Sequence, residues 1–124
     1  VWTINTTDRF DYWFRSLDDT DRACVLAALL VLREKGPALS RPYADTLKGS
    51  RHSNMKELRI QSKCDPLRAF FAFDPNRTGI VLCAGNKAGN ERRFYDEMLL
   101  VADREFTHWL NTLKERTLRD GQKP

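Results

Sequence analysis

The chain has 124 residues, a formal net charge of +4, 41% hydrophobic residues and three Trp. That length supports a single domain, residues 1–124, around one core, and the apolar content excludes a disordered polyelectrolyte. No apolar run approaches the ~20 residues of a membrane span, and the opening Val-Trp-Thr-Ile-Asn has neither the basic nor the apolar region of a secretory signal.

Residues 2–6 alternate and carry β-branched side chains, the pattern of a short strand. Thr7 or Asp8 can cap a helix that runs to Leu17, where Phe10, Trp13, Phe14 and Leu17 recur at i, i+3, i+4 and i+7. Asp18 and Asp19 interrupt that pattern and can cap a second helix over residues 20–35, with Val25, Ala28, Leu29 and Leu32 on one face. Gly36-Pro37 stops it, because Gly suits the position after the last turn and Pro cannot continue a helix. The two helices should form a hairpin.

Residues 37–54, punctuated by Pro37, Pro42 and Gly49, read as irregular. Three strands are expected next, over residues 55–61, 67–74 and 80–87, joined through SKCDP and DPNRTG into an antiparallel meander. In the first, Leu58 and Ile60 share one face and Glu57, Arg59 and Gln61 the other; in the second, Leu67, Ala69, Phe71 and Phe73 oppose Arg68 and Phe70. Asn90 is a plausible N-cap for a long helix through Phe94, Met98, Phe106, Trp109 and Leu113, and the polar residues 119–124 should fray. The order β-α-α-β-β-β-α implies an α+β fold: a small twisted antiparallel sheet with all helices on one face. The other face would be open and carry Glu57, Arg59, Arg68 and Phe70.

Charge is unevenly placed. Between residues 41 and 93 eleven Lys/Arg meet five Asp/Glu, a surplus of six, while the rest of the chain is acidic by two. A localised anion-binding face follows. Cys24, Cys64 and Cys83 have no CxxC spacing, so neither a disulfide framework nor a zinc site is expected and a reducing cytoplasm fits. No HExxH, GxSxG, P-loop or dinucleotide fingerprint occurs, so no metal and no small-molecule cofactor is expected.

The residues on and around the open face suit RNA. Arg59 and Arg68 can bind phosphate bidentately, Lys48, Arg51 and Lys87 supply further charge, and Phe70 offers a surface on which a base could stack. Arg92, Arg93 and Tyr95 open the last helix, whose N-terminus favours anions. Each residue also has a plain structural reading. Lys48-Gly49 can be only a turn, and His52 a solvated loop residue. Arg59 and Arg68 can be partners of Glu57 and Asp74. Phe70 can lie under a helix edge, Tyr95 can pack within its helix, and His108 can be a helix surface residue.

Taken with the order of elements, the segments LKGSRHSNMKELRIQ, LRAFFAFDP and LCAGNKAGNERRFYDEML resemble HigB-type toxins of the RelE/ParE superfamily, in the branch related to phage-encoded proteins. The likeness runs from about residue 13 to residue 113. It implies a ribosome-dependent mRNA endoribonuclease, neutralised by an antitoxin that often carries a helix-turn-helix domain (HigA-type). It also implies cleavage without metal, by attack of the ribose 2′-OH on the adjacent phosphate. On this sequence Lys48 follows the leucine of LKG and Arg59 closes ELR; Arg68 and Lys87 take the basic positions of the next two strands. Arg68 and Lys87 would then stabilise the phosphorane and Arg59 a neighbouring phosphate. His52, or Lys56 set among other cations that disfavour its protonated form, would be the base, and Tyr95 or His52 the acid. Two alternatives share the fold: a ParE-like inhibitor of DNA gyrase, and a catalytically inert nucleic-acid-binding protein.

Overall fold

A computed structural model describes residues 1–121. The elements are β1 (Ile4–Thr6), α1 (Asp8–Arg15), α2 (Asp19–Lys35), a 3-10 turn (Gly36–Ala38), β2 (Ala44–Thr46), β3 (Lys56–Ser62), β4 (Asp65–Phe73), β5 (Gly79–Asn86) and α3 (Glu91–Gly121). The helices begin where their caps are. Thr7 accepts the Phe10 amide, Asp18 the Asp21 amide and Asn90 the Arg93 amide, each cap contributing ~1 kcal/mol. Gly36 ends α2 at φ 58°, and a Cβ there would stand 2.3 Å from the Trp2 indole nitrogen. Both the backbone angle and the space therefore demand glycine.

The sheet order is β1-β5-β4-β3-β2. β5, β4, β3 and β2 pair antiparallel as a meander, but β1 lies parallel to β5, with Ile4 opposite Gly79 and Thr6 opposite Val81. The sheet is thus mixed and five-stranded. The unexpected strand β2 arises inside the stretch that reads as irregular. Three residues are too few for alternation to register; pairing of Ala44 with Leu58, which buries both, makes it a strand.

The α+β class and the order of the expected elements hold, but the layering differs. α1 and α2 cover one face, where Phe10, Val25 and Leu32 pack against Leu58, Ile60, Leu67, Phe71 and Val81. α3 covers the other, where Ala102 and Phe106 pack against Phe70, Ala72, Ile80, Leu82 and Cys83. Each fully buried aliphatic or aromatic side chain on either face contributes ~1.5–3 kcal/mol. The physical cause is in the strands: β4 and β5 are apolar on both faces, the signature of a sheet buried on both sides. A bulge helps. Phe70 opposes Cys83 while Phe71 opposes Val81, so Leu82 is the extra residue, and both Leu82 and Cys83 join the α3 side. Phe70 is fully buried and lies 5.9 Å from the Tyr95 ring; it is a floor beneath Tyr95 and not a surface for an RNA base. At the C-terminus α3 extends to Gly121, and residues 122–124 of the expected tail lie outside the described residues.

Candidate nucleic-acid site

α3 packs on β5 and β4, and its first turns lie beside the outward side chains of β3. Glu57 and Arg59 are two apart on β3, so they share that face. The register sets Arg59 directly opposite Arg68. Two guanidiniums opposite each other repel, and Glu57 is the anion that holds them. Arg59 Nε donates to Glu57 Oε2 at 3.3 Å, and Arg68 Nε lies 3.8 Å from the same oxygen. The Tyr95 hydroxyl, from the second turn of α3, donates to Glu57 Oε1 at 2.5 Å. Glu57 is 3% exposed, so it is surrounded by two hydrogen-bond donors, Arg59 and Tyr95, the nearby Arg68 guanidinium and little water.

Further out the alternation of charge continues. Asp45 on β2 accepts from Arg59 at 3.3 Å and from Arg41 at 3.0 Å; burial pushes its carboxyl up, but the Arg41 bond, the Thr46 amide and the charges of Arg41 and Arg59 together hold it below the usual range. Arg68 donates one Nη1 bond to the Leu67 carbonyl, but its buried Nε has no hydrogen bond. That Nε is enclosed, so a phosphate can meet Arg68 only through the outer nitrogens of its guanidinium, the side chain being 12% exposed. Gly85 opposes Arg68 on β5. A Cβ there would stand 2.9 Å from both Met98 and Phe94, so its absence lets α3 approach the sheet beside Arg68. Lys87, two residues on from Gly85, therefore falls on the Arg68 side; its amide bonds the Pro66 carbonyl and its ammonium pairs with Glu91 at 3.0 Å. The Tyr95 phenol is pushed up to about 12, first by burial, then by the bond to Glu57 and that carboxylate's charge, with Arg68 pulling the other way. It stays a proton donor at neutral pH.

Of the residues singled out from sequence, the fold gathers Arg59, Arg68, Tyr95 and, at the rim, Lys87. Exposed Arg92 lies one turn before Tyr95 on the same side of α3, and Lys48 is on a loop whose Gly49 lies over Leu99, one turn after it. Others are elsewhere. His52 bonds Thr107 at 3.0 Å and sets its ring edge-on to Phe106. Thr107 is twelve residues along α3 from Tyr95, ~18 Å at 1.5 Å per residue, so His52 is not part of the cluster. Lys56 shares the face of Leu58 and Ile60 and bonds the Pro37 carbonyl at 3.1 Å, so it stands across the sheet from Arg68. Arg93 turns away from Tyr95 and pairs with Glu97 at 2.9 Å; Arg51 is held far along α3, where its amide bonds Asp103. The residue that sequence reasoning undervalued is Glu57. Its signal was available, as the single acid in a cationic stretch, but it reads there as a salt-bridge partner and not as a centre. Among the described residues no cluster of three His, Cys, Asp or Glu could hold a metal, and no helix is long and apolar enough to cross a membrane.

The arrangement, a mixed sheet between a helical hairpin and one long helix, is the RelE-type toxin fold. It is similar to the Escherichia coli toxin RelE, solved as a mutant in the free state (TM-score 0.56, 16% identity, 73% of this chain and 87% of that one). It is also similar to an archaeal RelE-RelB complex from Pyrococcus horikoshii OT3 (TM-score 0.52, 12% identity, 70% and 96% covered). Residues 12–107 match the phage-derived Gp49-like protein family, DUF891, and the chain belongs to that family. Two similar proteins of Mycobacterium tuberculosis (strain ATCC 25618 / H37Rv) carry the names "Putative toxin HigB2" and "Putative toxin HigB3". The first is 47% identical over 110 residues, 88% of this chain and 54% of its own length; the second is 42% identical over 98 residues, 79% and 84%. The chain thus spans about half the length of HigB2. The kinship with HigB-type toxins of the RelE/ParE superfamily that the motifs suggest is carried by these matches.

Proposed function

We propose that this chain is the toxin of a type II toxin-antitoxin pair and acts as an mRNA endoribonuclease on the ribosome, in the cytoplasm, restrained by a cognate antitoxin of the helix-turn-helix HigA type. The observation that carries the reading is the Glu57 carboxylate held by Arg59, Arg68 and Tyr95 on one sheet face. Glu57 is the carboxylate that both arginines and Tyr95 share, so it takes the place of His52 and Lys56 as the base. It removes the ribose 2′-OH proton as that oxygen bonds phosphorus; the bond to the 5′-oxygen breaks, leaving a 2′,3′-cyclic phosphate. Tyr95 supplies the proton for the departing 5′-oxygen, and its phenolate recovers one from Glu57 across their hydrogen bond. Arg68, through the outer nitrogens of its guanidinium, and Lys87 offset charge on the phosphorane, while Arg59 holds a neighbouring phosphate. Because the Arg59–Glu57–Arg68 contacts already exist without substrate, the groups need little reorganisation when phosphate enters.

The test is primer extension on cellular mRNA after induced expression, run beside a gyrase supercoiling assay. Cuts with 5′-OH ends support the reading; intact mRNA with inhibited gyrase replaces it by a ParE-like activity. Arg68→Ala and Lys87→Ala should each abolish growth inhibition at matched expression while leaving antitoxin binding in place; Lys87→Ala should leave the thermal transition where it is, whereas Arg68→Ala, which takes a partner from buried Glu57, should lower it.

A further inference from the structure

We infer that a groove far along α3, built from Arg51, Arg104 and His108, is a second RNA-binding site that holds the phosphate backbone of single-stranded RNA away from the Glu57 cluster; the inference deepens the nuclease reading and rests on it. The groove measures about 490 Å³ and is lined by Arg51, Leu100, Arg104, Thr107, His108 and Asn111 beside Asp103. Two features distinguish it from an ordinary solvated helix face.

The first is how it is built. Asp103 is 7% exposed, and its carboxylate accepts the Ser50 hydroxyl at 2.5 Å and the Arg51 amide at 3.1 Å. The Ser50 oxygen in turn accepts the His52 amide at 3.0 Å. One buried acid therefore clamps the loop of residues 50–52 onto α3 and delivers the Arg51 side chain to the groove. The acid's own charge is taken up by these donors.

The second is what remains unsatisfied. Arg59, Arg68, Lys87 and Arg93 all have acidic partners. Among the described residues neither the Arg51 nor the Arg104 side chain has one. Two unpaired guanidiniums, one from a loop and one from a helix, thus converge on a single concavity, the geometry that suits phosphate. Leu100, 65% exposed, gives an apolar patch beside them against which a ribose or base can rest. Arg92, Asp96, Leu100, Arg104 and His108 fall on one i, i+4 stripe of α3, with Lys48 on the loop alongside. Arg104 is ~18 Å from Arg92 along that stripe. Asp96 and Leu100 separate Arg92 from Arg104, so the cations stand at the two ends of the stripe, and a strand of several nucleotides is needed to reach both.

The test is binding of uncleavable 2′-O-methyl RNA by the full chain, read as fluorescence anisotropy over a range of salt. An oligonucleotide of about 16 nucleotides should bind more tightly than one of about 4. In Arg51→Gln/Arg104→Gln the longer oligonucleotide should lose that advantage, and the slope of log K against log salt should become shallower by ~1.4, two single-strand contacts at ~0.7 each. Binding of the short one should be unchanged. Neither side chain has a partner to lose, and Asp103 holds Arg51 through its amide, so the thermal transition should not move. Arg15→Gln/Arg33→Gln removes the same charge from exposed positions of the helical hairpin and should leave the slope nearly as in wild type. Equal effects of the two double variants, or none from the first, overturn the inference. So does tighter capture of a poly-glutamate peptide than of RNA at the groove, which would make it a protein-docking surface. If primer extension finds cut mRNA while the groove variant binds as wild type, the second site alone falls. If mRNA stays intact while the slope still changes, the nuclease reading falls and the groove stands.

Discussion

Glu57→Gln separates what Glu57 does for the fold from what it does for chemistry. Gln keeps the shape and can still accept the Tyr95 hydroxyl through its amide oxygen, but it removes the charge between Arg59 and Arg68, which stand 3.3 and 3.8 Å from one carboxylate oxygen. Deleting one partner of a buried ion pair costs ~3–5 kcal/mol. Here the Arg59 side chain is 35% exposed and water can solvate it, and the Tyr95 bond survives, so ~2–3 kcal/mol is expected. At ~4 °C per kcal/mol for a chain of this size, Tm should fall by ~8–12 °C. Cleavage on purified ribosomes, measured below the new Tm, should fall by ~10²–10⁴, the usual contribution of a general base. Glu57→Asp restores the charge one methylene short of its partners, so it should recover part of the Tm and little of the cleavage. An unchanged Tm in Glu57→Gln would refute the anchoring argument. A lowered Tm with undiminished cleavage would refute the base assignment and leave Glu57 as a structural anion only.

Tyr95→Phe keeps the packing on Phe70 and removes the proton donor, so cleavage should fall while the fold persists. In the difference between wild-type and Tyr95→Phe absorbance titrations, the phenol should ionise near pH 12, later than the ordinary ~10. Because the folded state holds this proton more tightly, the group's contribution to stability is complete below pH ~10 and is lost as pH rises towards ~12; a wild-type titration with no late component contradicts that. Gly85→Ala forces a Cβ to within 2.9 Å of the Met98 and Phe94 side chains, so these must repack beside Arg68, at ~1–3 kcal/mol, and thermal melts should show it. Cys64 is exposed, whereas burial pushes the Cys83 thiol up to about 12. Mass spectrometry after alkylation of the native chain should find Cys64 labelled and Cys83 intact; early loss of Cys83 would mean that α3 opens readily.

Local sequence by itself determined the helices, the three long strands and the class. Caps, the Gly36-Pro37 stop and the two periodicities are nearest-neighbour chemistry, legible without tertiary contacts, and the alternation that sends Arg59 and Arg68 away from Leu58 survives in the structure. Only the tertiary structure decided which face each helix covers, because alternation separates two faces without saying what lies on either. Phe70 and Arg68 share a face in sequence, yet α3 buries one and leaves the other at its margin. Register, also non-local, sets Arg59 opposite Arg68 and so makes Glu57 the necessary anion between them. The cationic loop looks in sequence like one wall of a single site. Asp103, more than fifty residues away in the chain, carries Arg51 and His52 along α3 instead, since a buried carboxylate must find donors and the loop amides are the ones within reach.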